Sequence, residues 1–139
     1  MSVTVQWDDE SCTILRYTYM QRWTWADYEA AVVQAHDLVN AIQDRSDAVD
    51  VIADFSESTL LPDKALANFR TSLNRNKAIS FRVVVIIIPN QFLHRMLDLF
   101  GRLYGNVSRN FRTAANLDEA HAIIGEMRNK RLNLDDTKS

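Results

Sequence analysis

An α/β domain built on a mostly parallel sheet follows from three features of the sequence. Segments that alternate apolar with polar residues, or are solidly β-branched, recur at 3–7, 13–20, 49–55, 81–88 and 110–114. Segments with apolar residues at helical spacing fall at 24–43, from about Pro62, over 90–105 and after Asn116. Only the first two strand segments are separated by nothing but a short polar turn, so they form a hairpin, and the later strands are joined through helical crossovers. The predicted order is β-β-α-β-α-β-α-β-α: a mixed sheet with a parallel centre flanked by helices. One domain covers residues 1–131, and 132–139 form a polar C-terminal tail.

VTVQW (3–7) puts Val3, Val5 and Trp7 on one face of a half-buried strand. DDES (8–11) is a polar turn, and the β-branched and aromatic TILRYTYM (13–20) pairs back on the first strand. In residues 24–43, Thr24 with Asp27 three positions on resembles a capping box. Trp25, Tyr28, Val32, Ala35, Val39 and Ile42 then recur every three or four residues as one buried stripe. VDVIADF (49–55) is the third strand. Pro62 suits the first turn of a second helix, where its missing N–H costs nothing, and Leu66, Phe69 and Leu73 give that helix its inner face. FRVVVIII (81–88) is uniformly apolar, as a strand buried on both faces must be, and Pro89-Asn90 stop it. NQFLHRMLDLFGRLYG (90–105) is a helix ending at Gly105, and NFRTA (110–114) is a short last strand. Asn116, with Glu119 three residues on, opens a final helix through Leu117, Ala120, Ile124 and Met127.

The chain of 139 residues is long enough for one sizeable core, and its 47% hydrophobic and 24% charged content is ordinary for a globular protein. Its single cysteine, Cys12, can form neither an intrachain disulfide nor a cysteine-only metal cage; it reads as a small side chain at a turn. The opening MSVTVQWDDE lacks the basic start and apolar core of a secretory signal. VVVIIIP (83–89) is far too short to span a bilayer, and a cytoplasmic protein is expected. Charge is divided unevenly. Residues 1–63 hold 3 Lys/Arg against 12 Asp/Glu, whereas 64–112 hold 9 against the single acid Asp98. The basic half either pairs with the acidic half or meets an acidic partner, a phosphorylated ligand or an anionic surface. Nucleic acid is not expected, since no aromatic residues interleave with the basic ones.

The element order, the strand aspartate Asp54 and the ending FRTAANLDEAHAII resemble the STAS domain family, and more specifically its stage II sporulation AA-like (anti-sigma factor antagonist-like) branch. The resemblance covers about residues 3–130. It implies a non-enzymatic regulatory module that works through protein–protein contacts. In that family an Asp-Ser pair lies about eight residues beyond the strand aspartate, and the serine is phosphorylated by a partner kinase. Here Asp63 falls near the pair's aspartate, but Lys64 stands where the serine would be, so the usual phosphoserine switch is not expected.

Two candidate surfaces follow. The first is the switch loop with Asp54, Ser56, Ser58, Thr59, Asp63 and Lys64, since ligands of open α/β sheets bind beyond the carboxyl ends of parallel strands. The plainer reading of Ser56, Ser58 and Thr59 is a hydrogen-bonded turn capping strand and helix ends. The second is the helix 90–105. Phe92, Met96, Leu99, Phe100 and Leu103 belong to more apolar residues than one buried stripe needs, and Arg95 and Arg102 would form a polar rim. The excess fits a homodimer contact, a partner groove, a pocket for a small lipophilic or anionic ligand, or a helix sunk deep in the core. No catalytic residues, metal ligands or cofactor motif are expected. His36, His94 and His121 lie on three separate helices without a second ligand at i+3 or i+4 and read as surface residues. Asp8 and Asp9 precede a strand rather than a strand-to-helix turn, so they do not form a receiver-type acidic pair. Trp7, Trp23 and Trp25 read as a buried packing cluster.

Overall fold

The computed structural model of the chain describes residues 2–42, 49–58, 83–88 and 111–138. Among the described residues, five strands form one sheet in sequence order: β1 (Val3–Trp7), β2 (Ile14–Gln21), β3 (Asp50–Ser58), β4 (Val84–Ile87) and β5 (Phe111–Ala114). β1 and β2 run antiparallel; β2–β3, β3–β4 and β4–β5 are parallel. Helix α1 (Trp25–Asn40) lies in sequence between β2 and β3, and α2 (Leu117–Lys138) follows β5. The α/β class and the mixed sheet with a parallel centre are therefore present. The helices expected from Pro62 and over 90–105 lie outside the described residues.

Strand pleating sends successive side chains to opposite faces, and each helix covers one of them. Leu15, Tyr17 and Tyr19 of β2, Val51, Ala53 and Phe55 of β3, and Ile86 of β4 share a core with Ala31, Ala35 and Val39 of α1. Ile14, Ile52, Val85, Ile87 and Ala114 face the other way, onto Ala120 and Ile124 of α2. β4 thus contributes to both cores, which is why its sequence shows no alternation. The outer hairpin strand needs burial on one face only: Thr4 and Gln6 are exposed, and Val3 is buried.

Both helix starts are fixed locally. The Thr24 hydroxyl accepts from the Asp27 N–H at 3.2 Å, and the Asp27 carboxylate accepts from the Thr24 N–H at 3.3 Å, a complete capping box. Asn116 Oδ1 accepts from the Glu119 N–H at 2.8 Å, and the Glu119 carboxylate reaches back to the Ala115 N–H at 3.2 Å. Cys12 sits half-buried at the hairpin turn with φ of 56°, the left-handed region that L-residues other than Asn and Asp seldom enter.

Two boundaries correct the sequence expectation. β3 runs to Ser58, past the predicted end at residue 55. α2 runs to Lys138, so the helix continues through the polar residues 132–138. Once a helix is nucleated, each added residue gains a hydrogen bond, so the helix continues there without an apolar stripe to announce it.

The α1-side core has a pH consequence. Burial pushes the Tyr17 and Tyr19 phenols well above their ordinary value, with smaller contributions from Tyr28 and, for Tyr19, from Tyr17. In the unfolded chain both titrate near pH 10, so the stability they contribute is full below that pH and is lost as pH rises beyond it. The slope approaches about 1.4 kcal/mol per pH unit for each tyrosine. Urea midpoints measured from neutral pH to above pH 10 should fall steeply past 10, and a Tyr17→Phe/Tyr19→Phe variant should show a flatter curve.

Candidate functional site

The carboxyl ends of β2 and β3 carry the described part of the predicted loop. The register shifts there: Thr18 pairs with Asp54 but Met20 pairs with Glu57, so β3 holds an extra residue opposite Tyr19. A bulge of this kind withdraws one residue's backbone from the ladder. Asp54 repairs the defect, because its Oδ1 accepts from the Ser56 N–H at 2.9 Å. Asp54 is therefore half-buried as the cap of a bulge. Beyond it, Ser56 and Glu57 are exposed, next to exposed Met20 and Gln21 on β2. Gln21 has φ of 48°, a strained left-handed conformation at the exit from the sheet.

Ser58 is not a free hydroxyl. It is 9% exposed and its Oγ accepts from Trp23 Nε1 at 3.1 Å. That bond ties the end of β3 to the residue preceding the α1 cap. Behind it lies a continuous aromatic cluster. Tyr19 and Phe55 stack at 4.1 Å with planes 5° apart, and Trp23 meets Tyr19 edge-on at 5.0 Å and Trp25 at 5.2 Å. Tyr28 closes the group against Trp25 at 5.6 Å. Trp7 packs on the same core. The predicted tryptophan cluster is a packing feature, and it makes the Ser56–Glu57 lip a surface on rigid strand ends.

The amino end of the sheet holds a second polar constellation that the sequence did not reveal. Asp50, fully buried at the start of β3, accepts from Arg128 Nε of α2 at 2.9 Å. The same guanidinium donates to the Thr13 carbonyl at 3.3 Å and the Thr13 hydroxyl at 3.1 Å. Asp8, whose side chain is 5% exposed, lies 3.1 Å from Arg16 Nη1 and 2.6 Å from His121 Nε2. Asp9 accepts from the Thr13 hydroxyl and from the Thr13 and Ile14 N–H groups, the latter two at 2.8 and 3.0 Å. Burial raises the Asp9 carboxyl, but these bonds outweigh it and hold the group below its ordinary value. Its contribution to stability is thus present above the ordinary carboxylate range and lost as pH falls through the lowered value. The acids that might have formed a receiver-type pair are committed to closing the hairpin and clasping α2, at the end of the sheet away from Asp54.

One histidine, His36, departs from the surface expectation, whereas His121 lies at the surface as expected. His121 is exposed but bonded to Asp8, and His36 is half-buried on α1 with Nε2 enclosed and lacking a hydrogen-bond partner. Among the described residues no three His, Cys, Asp or Glu side chains are grouped to hold a metal ion, and no helix is long and apolar enough to cross a membrane. Of the predicted site residues, Asp54 and Ser56 are joined by the bulge hydrogen bond, while Ser58 is engaged by Trp23. Thr59, Asp63, Lys64, Phe92, Arg95, Met96, Leu99, Phe100, Arg102 and Leu103 lie outside the described residues.

No protein-family model matches the chain. Neither the curated proteins nor the solved structures contain a significant match.

Proposed function

We propose that the chain is a STAS-like, non-enzymatic regulatory module whose partner protein docks on the carboxyl end of β2 and β3. The observation that carries this reading is the Ser56–Glu57 lip with Met20 and Gln21: exposed side chains on strand ends that a bulge cap and an aromatic cluster hold from behind. A surface held in place before contact loses less side-chain and backbone freedom on binding than a mobile loop does. The hairpin leading into parallel strands and the aspartate of β3 support this reading. Because Ser58 is engaged by Trp23, recognition here rests on shape and on the Glu57 charge rather than on phosphorylation of that hydroxyl.

A Ser56→Arg/Glu57→Arg variant tests the proposal. Both positions are exposed, so the variant should keep its thermal midpoint within a few degrees. Wild-type protein should capture a specific protein, identified by mass spectrometry, from an extract of its source cells, and the variant should bind it at least tenfold more weakly. Equal capture by both proteins would remove this surface from the argument. A small molecule retained in native mass spectra, with no protein captured, would transfer the argument to a carrier of a lipophilic or anionic ligand.

A further inference from the structure

The geometry points to the outer edge of β1 as the seat of a two-fold homodimer, in which β1 pairs antiparallel with β1 of a second copy about Gln6. β1 is an end strand of the sheet. Its ladder with β2 is bounded by the Asp8 N–H to the Ile14 carbonyl and the Met20 N–H to the Ser2 carbonyl, both 2.7 Å. Directions alternate along an antiparallel strand, so Ser2, Thr4, Gln6 and Asp8 turn their backbone groups towards β2. Val3, Val5 and Trp7 turn theirs outward, where no strand among the described residues receives them. Val3 is only 1% exposed, so the open part of the edge runs from Val5 to Trp7, both half-buried.

A second copy fits this edge better than an arbitrary strand. VTVQW contains no lysine, no proline and no charge, and the sheet's register shift lies between β2 and β3. The devices that a strand's own sequence and register can supply against edge pairing are thus missing from β1. Centred on Gln6, Val5 of each copy opposes Trp7 of the partner subunit, and each such pair exchanges both backbone bonds. The same pairing sets Val5 beside Trp7 on the α1 side, an aromatic–β-branched cross-strand contact. It leaves Thr4 and Gln6 on the solvated face.

Charge selects the direction. Asp8, Asp9 and Glu10 follow the strand directly. A parallel pairing would set these acids against their own copies. The antiparallel pairing places Asp8 opposite Thr4 and separates the two Asp8 residues by four strand positions, about 14 Å, which exceeds the screening length of about 8 Å at physiological salt. This contact is separate from the Ser56–Glu57 lip, and either can fail without the other.

The test is a charge exchange at Gln6, which is exposed and faces itself across the axis. Wild type, Gln6→Lys and Gln6→Glu, each confirmed folded by circular dichroism, are compared by sedimentation equilibrium over a wide concentration range. Wild type should form a dimer as concentration rises. Each variant alone should dimerise several-fold more weakly, because like charges meet directly across the strands. An equimolar mixture of the two should recover a heterodimer, visible by mass in native spectra. A wild type that stays monomeric, a Gln6→Lys dimer as tight as wild type, or a mixture that recovers nothing would each overturn the assignment.

Discussion

Replacing Arg128 with methionine should destabilise the fold by about 3–5 kcal/mol, because it takes a charged hydrogen-bond partner from a fully buried carboxylate. The Asp50 side chain is fully enclosed, whereas Arg128 is 36% exposed. The penalty therefore falls on the acid, which cannot turn to water when the guanidinium is gone. The loss extends further, since Arg128 also binds the Thr13 carbonyl and hydroxyl and so joins α2 to both the hairpin and β3. With a total stability of roughly 5–15 kcal/mol for a domain of this size, the single variant would lose a large fraction of it. An Asp50→Asn/Arg128→Met double variant should recover part of the loss, because a neutral amide costs less to enclose than an ion. Urea unfolding of the four members of the cycle measures this. A cost below about 1 kcal/mol for Arg128→Met would mean that the pair behaves as an ordinary surface bridge.

The contrast between this pair and the helix caps shows what was readable in the chain. Thr24 and Asp27 are three residues apart, and so are Asn116 and Glu119; a local rule finds both. The solid apolar run of β4 likewise announces burial on two faces. Asp50 and Arg128 are 78 positions apart, and Asp8 and His121 are 113 apart. No spacing rule relates them, because only the pleat of β2 and β3 and the turn of α2 bring them together. The carboxyl end of β3 departs from its sequence pattern for a different reason. Ser56, Glu57 and Ser58 have turn-like composition, yet Asp54 caps the bulge and the Trp23 N–H engages Ser58, so the strand continues. The α1 stripe was close but rotated slightly: Ala31 is buried while Val32 is only half-buried, since alanine carries too little apolar signal to mark the contact side. Much of the predicted site, including helix 90–105, lies outside the described residues, so its excess of apolar residues remains a sequence expectation.

Truncating Trp23 to alanine should cost about 3–5 kcal/mol and loosen the proposed docking lip at the same time. Trp23 is 2% exposed and lies at the centre of the aromatic cluster, within 5.0 to 6.4 Å of Tyr19, Trp25, Phe55 and Tyr28 by ring centroid. Removing it leaves a cavity between α1 and the strand ends and takes the indole N–H away from a buried Ser58 hydroxyl. Trp23→Phe removes the donor with a much smaller cavity than alanine leaves. It keeps a six-membered ring in the cluster and removes the donor together with part of the ring volume, so its cost should lie above that of a lost hydrogen bond, about 1 kcal/mol, and below that of the alanine variant. Amide exchange distinguishes local from global loss. In the phenylalanine variant, protection should fall first along Phe55–Ser58, while Ile52 and Val85, on the α2 side, keep theirs. If partner binding depends on a preformed lip, this variant should bind more weakly even though Ser56 and Glu57 are unchanged. Unaltered exchange at the strand end, with unaltered binding, would show that the Trp23–Ser58 bond does not hold the surface. Global unfolding in the alanine variant with only local loosening in the phenylalanine one would place the cluster in two roles: core for the fold, and backing for the surface presented by β3.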